Sequence, residues 1–209
     1  MNWPWIGDHY GYFGDLMSEH LKMAVPPVLF GLLISLPLGV ACARWPRLYG
    51  LVIACTSALY ALPSLVLFAI MLEFTGLNIA TVIAPLTVYT LSVLVRNVVD
   101  GLRGVPDSVR QSAVAMGFGA VRRLVQVELP IALPVVFAGL RIATVSNISL
   151  VSVGALIGFG GLGKLFTDGL QRAFLTPIVV GIVLTVVLAL AADVVLVLTQ
   201  RLLTPWSRR

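Results

Sequence analysis

Charge is scarce in this chain: Asp, Glu, Lys and Arg make up 11% of its 209 residues, against 59% hydrophobic residues. A water-soluble fold of this size could not cover so much apolar surface, so that class is excluded. Cysteine is nearly absent, and Cys42 and Cys55 both fall inside uncharged runs, which leaves neither a disulfide framework nor a cysteine metal site. The two histidines, His9 and His20, lack metal-ligand spacing. No glycine–lysine phosphate loop is complete, since Leu165 stands where a Ser or Thr would follow Gly163-Lys164, and no nucleophile is set beside a base, which excludes ATP hydrolysis by this chain and intramembrane catalysis. The first 20 residues lack a basic start and carry Asp8, Asp15 and Glu19 among Trp3, Trp5, Tyr10, Tyr12 and Phe13. They read as an extracytoplasmic segment at headgroup level rather than a cleavable signal.

What is abundant is uncharged apolar sequence in long runs. Five of them reach the roughly 20 residues a helix needs to cross a bilayer. Backbone groups in lipid must be satisfied within the segment, so the runs predict helices, and the period-two alternation of a membrane barrel is missing. The expected fold is an all-α integral membrane domain over residues 21–205, with spans at 22–43, 48–72, 75–96, 131–157 and 174–200. With the N-terminus outside, the inner segments hold Arg44, Arg47, Arg96, Arg103, Arg110, Arg122, Arg123, Arg201, Arg208 and Arg209. The outer ones hold only Lys22, Lys164 and Arg172. This positive-inside bias predicts N-out, C-in, with a cytoplasmic loop at 97–130 and lipid around the spans. It also assigns the net charge of +5 to topology rather than to nucleic acid.

That loop is patterned. Pro106 suits a first helical turn, and Asp107 and Ser108 favour the positive end of a helix running to about Met116. Gly117 can take the left-handed conformation that ends it. A second short helix is expected from Ala120 to Val127, stopped by Leu129-Pro130, with Ser112, Ala113 and Ala115 sharing one face for close approach by another protein. The sequence Gln111-Ser112-Ala113, three residues, Gly117, nine residues, Val127, one residue, Leu129-Pro130 resembles the cytoplasmic motif of ATP-binding-cassette importer permeases. That motif is Glu-Ala-Ala, three residues, Gly, nine residues, Ile, one residue, Leu-Pro. Gln111, Ser112 and Val127 depart from it, and Gln111 removes the usual carboxylate. Ala61-Leu62-Pro63-Ser64-Leu65, Val95-Arg96-Asn97, Gly101-Leu102-Arg103-Gly104-Val105, Ala138-Gly139-Leu140-Arg141 and the glycine run 158–163 resemble the branch of these permeases that carries glycine betaine, carnitine or choline. Methionine importers share some of this, so an amino-acid cargo stays open. So does a non-transport membrane anchor, which would keep the topology without the coupling motif.

The resemblance implies a type I importer permease fold, with Gln111, Ser112, Ala113, Gly117, Val127, Leu129 and Pro130 contacting an ATPase. It implies two cytoplasmic ATPase subunits that bind the ATP, a second permease subunit, identical or paralogous, and an extracytoplasmic solute-binding protein. No cofactor is expected on this chain.

Within the spans, Pro63 and Pro85 predict kinks that could open a gate or serve simple packing. Tyr60 and Tyr89 could offer weak cation–π contacts to a quaternary ammonium. Thr144, Ser146, Asn147, Ser149 and Ser152 either line a pathway or hydrogen-bond between helices. Arg141 and Asp193 are the span charges, at similar depth, and either pair or reach separately toward the interface. Gly158, Gly160 and Gly163 match a dinucleotide-type spacing, but no strand precedes them, and a tight outer loop is the better reading.

Overall fold

The computed structural model describes residues 1–207; Arg208 and Arg209, counted above in the charge asymmetry, lie outside the described residues. Among the described residues there is no strand. Four helices are long and apolar enough to cross a bilayer, and a bent pair makes a fifth span if counted as one crossing.

Helix α1 (Trp3–Asp8) is capped by Asn2, whose Oδ1 accepts from the Trp5 amide. Helix α2 (Tyr10–Arg44) follows at once and has 35 residues, about 52 Å of helix. Residues 10–20 are therefore continuous with the helix of the first expected span. Phe13, Leu16, His20 and Met23, three to four residues apart, make the buried face that carries it. Trp5 stacks on His9 at 4.4 Å and meets Phe174 edge-on at 5.5 Å. Phe13 and Leu16 are buried with Leu162 and Leu165, while Trp3 and Tyr10 stay exposed.

The span expected over 48–72, with a kink at Pro63, bends there so sharply that it divides into two helices. Helix α3 (Pro46–Tyr60) and helix α4 (Ser64–Thr75) meet at 95°. Pro63 has no N–H to continue α3 and pushes the residue before it out of the helical region. The break leaves the Leu62 carbonyl without a helical donor, and the Tyr89 hydroxyl supplies one at 2.7 Å.

Helix α5 (Ala80–Arg103) is the centre of the bundle and runs through Pro85 without a break. A Cβ on Gly31 would run into Thr90, and one on Gly39 into Val98. Glycine at these two positions lets α2 lie directly on α5. The other side of α5 packs on helix α8 (Leu129–Val151), with Val98, Leu102, Ala132 and Val136 all buried. Helix α10 (Leu175–Leu203) lies outside this core; only Thr176, Pro177 and Gly181 of it are buried, leaving most of its surface for lipid.

Between α5 and α8, helix α6 (Asp107–Ala115) and helix α7 (Ala120–Arg123) form an elbow. Leu129-Pro130 does not stop the second arm as expected. A π turn over Leu124–Glu128 carries α7 straight into α8. In it the Leu129 amide bonds the Leu124 carbonyl, five residues back. The wider turn relieves the proline ring's clash with the preceding turn, and Pro130 has no N–H to lose. Helical geometry thus runs from Ala120 to Ile157. A tight glycine-rich turn and helix α9 (Lys164–Gln171) then lead to α10.

Candidate functional site

Three regions hold the polar chemistry of this apolar chain. The first is the elbow. After α6, the Gly117 amide bonds the Val114 carbonyl at 2.9 Å, and the Phe118 amide bonds the Ala113 carbonyl at 3.0 Å. This pair of bonds closes the helix end in a Schellman motif, which needs the left-handed backbone that Gly117 supplies at φ +80°. Arg110 ties α6 to its neighbours: Nη2 donates to the Leu102 carbonyl and Nη1 to Asp107. Glu128, only 13% exposed, accepts from Arg123 Nε at 2.7 Å and lies 4.0 Å from Arg110 Nε. One carboxylate therefore joins both arms of the elbow where the π turn enters α8.

The loop residues singled out in the sequence divide on this scaffold. Gln111 and Gly117 are exposed, whereas Val127, Leu129 and Pro130 are half-buried where the elbow meets the bundle. Ser112 and Ala115, three residues apart, share an exposed face, but Ala113, set about 100° from Ser112, leaves it. Ala113 is turned inward and buried, Ala115 is exposed, and the exposed Ser112 returns its hydroxyl to the Ser108 carbonyl. The outward surface also carries apolar side chains, Val114, Met116, Val121 and Val125, among polar ones such as Gln111 and Arg122.

The second region is the break between α3 and α4. Tyr60 and Tyr89 meet edge to face at 5.4 Å, beside the exposed Pro63. Tyr89 is buried and Tyr60 is 52% exposed, so Tyr60 presents the free ring surface. Asn147 is not part of this region: it is buried, and its Nδ2 donates to Thr90 Oγ1 at 2.8 Å, bonding α8 to α5. Ser149 is exposed on α8. Thr144 donates to its own helix, to the Leu140 carbonyl.

The third region links helices that carry no other charges at that depth. Arg141 of α8 grips Asp193 of α10 with two parallel bonds, Nε to Oδ1 at 2.7 Å and Nη2 to Oδ2 at 2.8 Å. A fork of this kind fixes orientation as well as distance.

Sequence reasoning passed over two sites. The Arg110–Glu128–Arg123 cage was missed because its members read as ordinary loop charges. His20 was weighed only as a metal ligand. It is fully buried, with Nδ1 accepting from the Leu162 amide and Nε2 donating to the Ile148 carbonyl at 2.8 Å. It anchors the glycine run, in which Gly158 and Gly161 take positive φ, to α2 and α8. With 142 positions between His20 and Leu162, the sequence carried no signal of this contact.

Comparison with known proteins matches this architecture throughout. The family described as the binding-protein-dependent transport system inner membrane component covers residues 35–208. A glycine betaine/carnitine/choline transport system permease protein, OpuCD of Bacillus subtilis (strain 168), is 34% identical, over 98% of this chain and 91% of that protein. The osmoprotectant import permease protein OsmW of Salmonella typhimurium (strain LT2) is 32% identical, over 95% of this chain and 94% of its own length. An inward-facing structure of the MetNI methionine ABC transporter superposes with a TM-score of 0.81 at 25% identity, covering 98% of this chain and all of that one. With its helical fold, its apolar spans and its match over most of its length, the chain belongs to the binding-protein-dependent transport system inner membrane components, the multi-pass permease subunits of ATP-binding-cassette importers in the cytoplasmic membrane.

Proposed function

We propose that this chain is the membrane-spanning subunit of an ATP-driven importer for compatible solutes of the quaternary-amine type, such as glycine betaine, carnitine or choline. The elbow carries the reading. It is a short helix closed at Gly117, cross-braced by Glu128 and continuous with α8 through the π turn. A push on its exposed apolar surface is therefore delivered to a spanning helix rather than absorbed by a loop. The names of relatives about one-third identical support the solute class. The likeness to a methionine transporter supports the fold, and an amino-acid cargo is the competing reading.

In this scheme the N-terminus lies outside and the elbow in the cytoplasm, in keeping with Arg44, Arg103, Arg110 and Arg123 converging around one small pocket at the elbow end. Two separate ATPase subunits bind and hydrolyse ATP, each seating an elbow through Gln111, Ser112 and the apolar surface around Met116. Val127, Leu129 and Pro130 carry the movement into α8. A second permease subunit, a copy or a paralogue, completes the pathway, and an extracytoplasmic binding protein delivers the solute. This chain needs no cofactor of its own.

The test is Gly117→Asp in the reconstituted importer. An acidic side chain at a left-handed position on the docking surface is expected to abolish ATP-coupled uptake of labelled glycine betaine while membrane insertion persists. Full uptake in that variant would remove the elbow from the mechanism. Failure of the wild-type chain to copurify with ATPase subunits would favour a membrane anchor instead.

A further inference from the structure

We propose that the groove between α3 and α5 is a transport subsite for a zwitterion bearing both a quaternary ammonium and a carboxylate, with Tyr60 receiving the ammonium and Arg96 the carboxylate. This deepens the function proposed above and rests on its solute class. The groove has a volume of about 310 Å³ and is lined by Ser57 and Tyr60 of α3 and by Ser92, Val93, Arg96 and Asn97 of α5. That lies at the small end of ligand sites, roughly 300–1,000 Å³.

Arg96 is the observation that asks for a ligand. It lines the groove from α5, two helical turns before Arg103 and at the inner end of the expected span. Arg141, by contrast, is doubly bonded to Asp193. Arg96 has no hydrogen bond or ion pair among the described residues. Asp100 lies one turn nearer the elbow on the same exposed side of α5, and the two do not form a salt bridge. The α3 wall supplies no charge.

The remaining groups suit the opposite end of such a solute. Ser92 spends its hydroxyl proton on the Tyr89 carbonyl and Asn97 donates Nδ2 to the Val93 carbonyl, so both line the groove as uncharged groups with acceptor capacity to spare. The half-exposed Tyr60 ring is held edge to face by Tyr89. It offers a single aromatic surface to a cation, a contact weak enough to release cargo. A solute with an ammonium but no carboxylate would face Arg96 with nothing to neutralise it.

The experiment uses the complete importer, with its ATPase, partner permease and binding protein, in lipid vesicles supplied with labelled glycine betaine or labelled choline. The wild type is expected to favour glycine betaine. Arg96→Gln should lower glycine betaine uptake about tenfold, the scale of one lost charge-assisted hydrogen bond, toward the level of choline. Arg96→Lys should recover most of it. Tyr60→Ala should lower uptake of both solutes, with Tyr60→Phe recovering it. Wild-type rates of glycine betaine uptake in Arg96→Gln, or equal fractional losses for both solutes, would overturn the subsite. Recovery of uptake in the double variant Arg96→Asp, Asp100→Arg would also overturn it, by making the pair an internal one. A wild-type importer that takes up neither solute overturns the solute class itself, and is recognised before any variant is made.

Discussion

The elbow and the α3–α4 break are both proline-marked interruptions of helix, and they are built in opposite ways. At the elbow every irregularity is closed from within. Gly117 satisfies the end of α6, the π turn accommodates Pro130, and Glu128 ties Arg123 and Arg110 across the bend. At the break, a 95° turn after Tyr60 is held by one side-chain bond, Tyr89 to Leu62, and no residue of α3 is buried. A stiff element passes force on, whereas a lightly held one changes shape under it. In the proposed mechanism, the contrast suits the elbow to transmission and the face beside the polar groove to compliance.

The sharpest way to break this contrast is to loosen the elbow. Glu128→Ala leaves Arg110 and Arg123 without their shared carboxylate in a partly enclosed site. The loss should be about 2–3 kcal/mol, short of the ~3–5 kcal/mol of a fully buried pair because the arginines keep access to water. Uptake is expected to fall by more than about tenfold, while the spans still insert. Measuring ATP hydrolysis beside uptake checks the claim: hydrolysis should persist, uncoupled from transport. Tightly coupled hydrolysis in Glu128→Ala would mean that the elbow does not owe its stiffness to this cage.

A smaller effect is expected where the bundle is joined to its outermost helix. Arg141→Ala or Asp193→Ala alone strands one charge within a span, and either should reduce uptake and the amount of folded protein in the membrane. The exchanged pair, Arg141→Asp with Asp193→Arg, should restore a substantial part of both. If exchange restores nothing, the fork's orientation, and not its charge balance, is what α10 depends on.

Much of the fold was legible because lipid leaves few choices. Uncharged runs of sufficient length must be helices, and the rarity of span charges made Arg141 and Asp193 partners to consider although 52 positions separate them. The bend of the elbow was legible at Gly117, since a left-handed residue ending a helix is a local event. Its continuity into α8 was not: Pro130 reads as a stop unless the turn before it widens, and that widening is held by tertiary contacts. The extent of α2 was hidden for a similar reason. Phe13, Leu16, His20 and Met23 make a buried face that carries the helix through the acidic stretch, and that burial is set by packing. His20 and Glu128 escaped notice because burial, not residue type, gives each its role. Of the face assigned to Ser112, Ala113 and Ala115, helical geometry alone removes Ala113.

The smallest expected effect probes the break. Tyr89→Phe removes one hydroxyl and keeps the ring against Tyr60, so the packing at 5.4 Å is preserved while the Leu62 carbonyl loses its donor. An unpaired carbonyl costs about 1–3 kcal/mol when fully buried. Leu62 is 39% exposed, so the expected loss is near the lower end, about 1 kcal/mol, seen as a modest drop in the thermal midpoint of the purified complex. If the break is a compliant element, releasing its single tether should change uptake kinetics more than stability, with altered turnover at nearly normal half-saturation. A variant with a lowered midpoint and unchanged turnover would make Tyr89 a structural strut and would move the compliant element elsewhere in the bundle. An unchanged midpoint with altered turnover would locate the moving part of this permease at the turn between α3 and α4, opposite in character to the elbow that drives it.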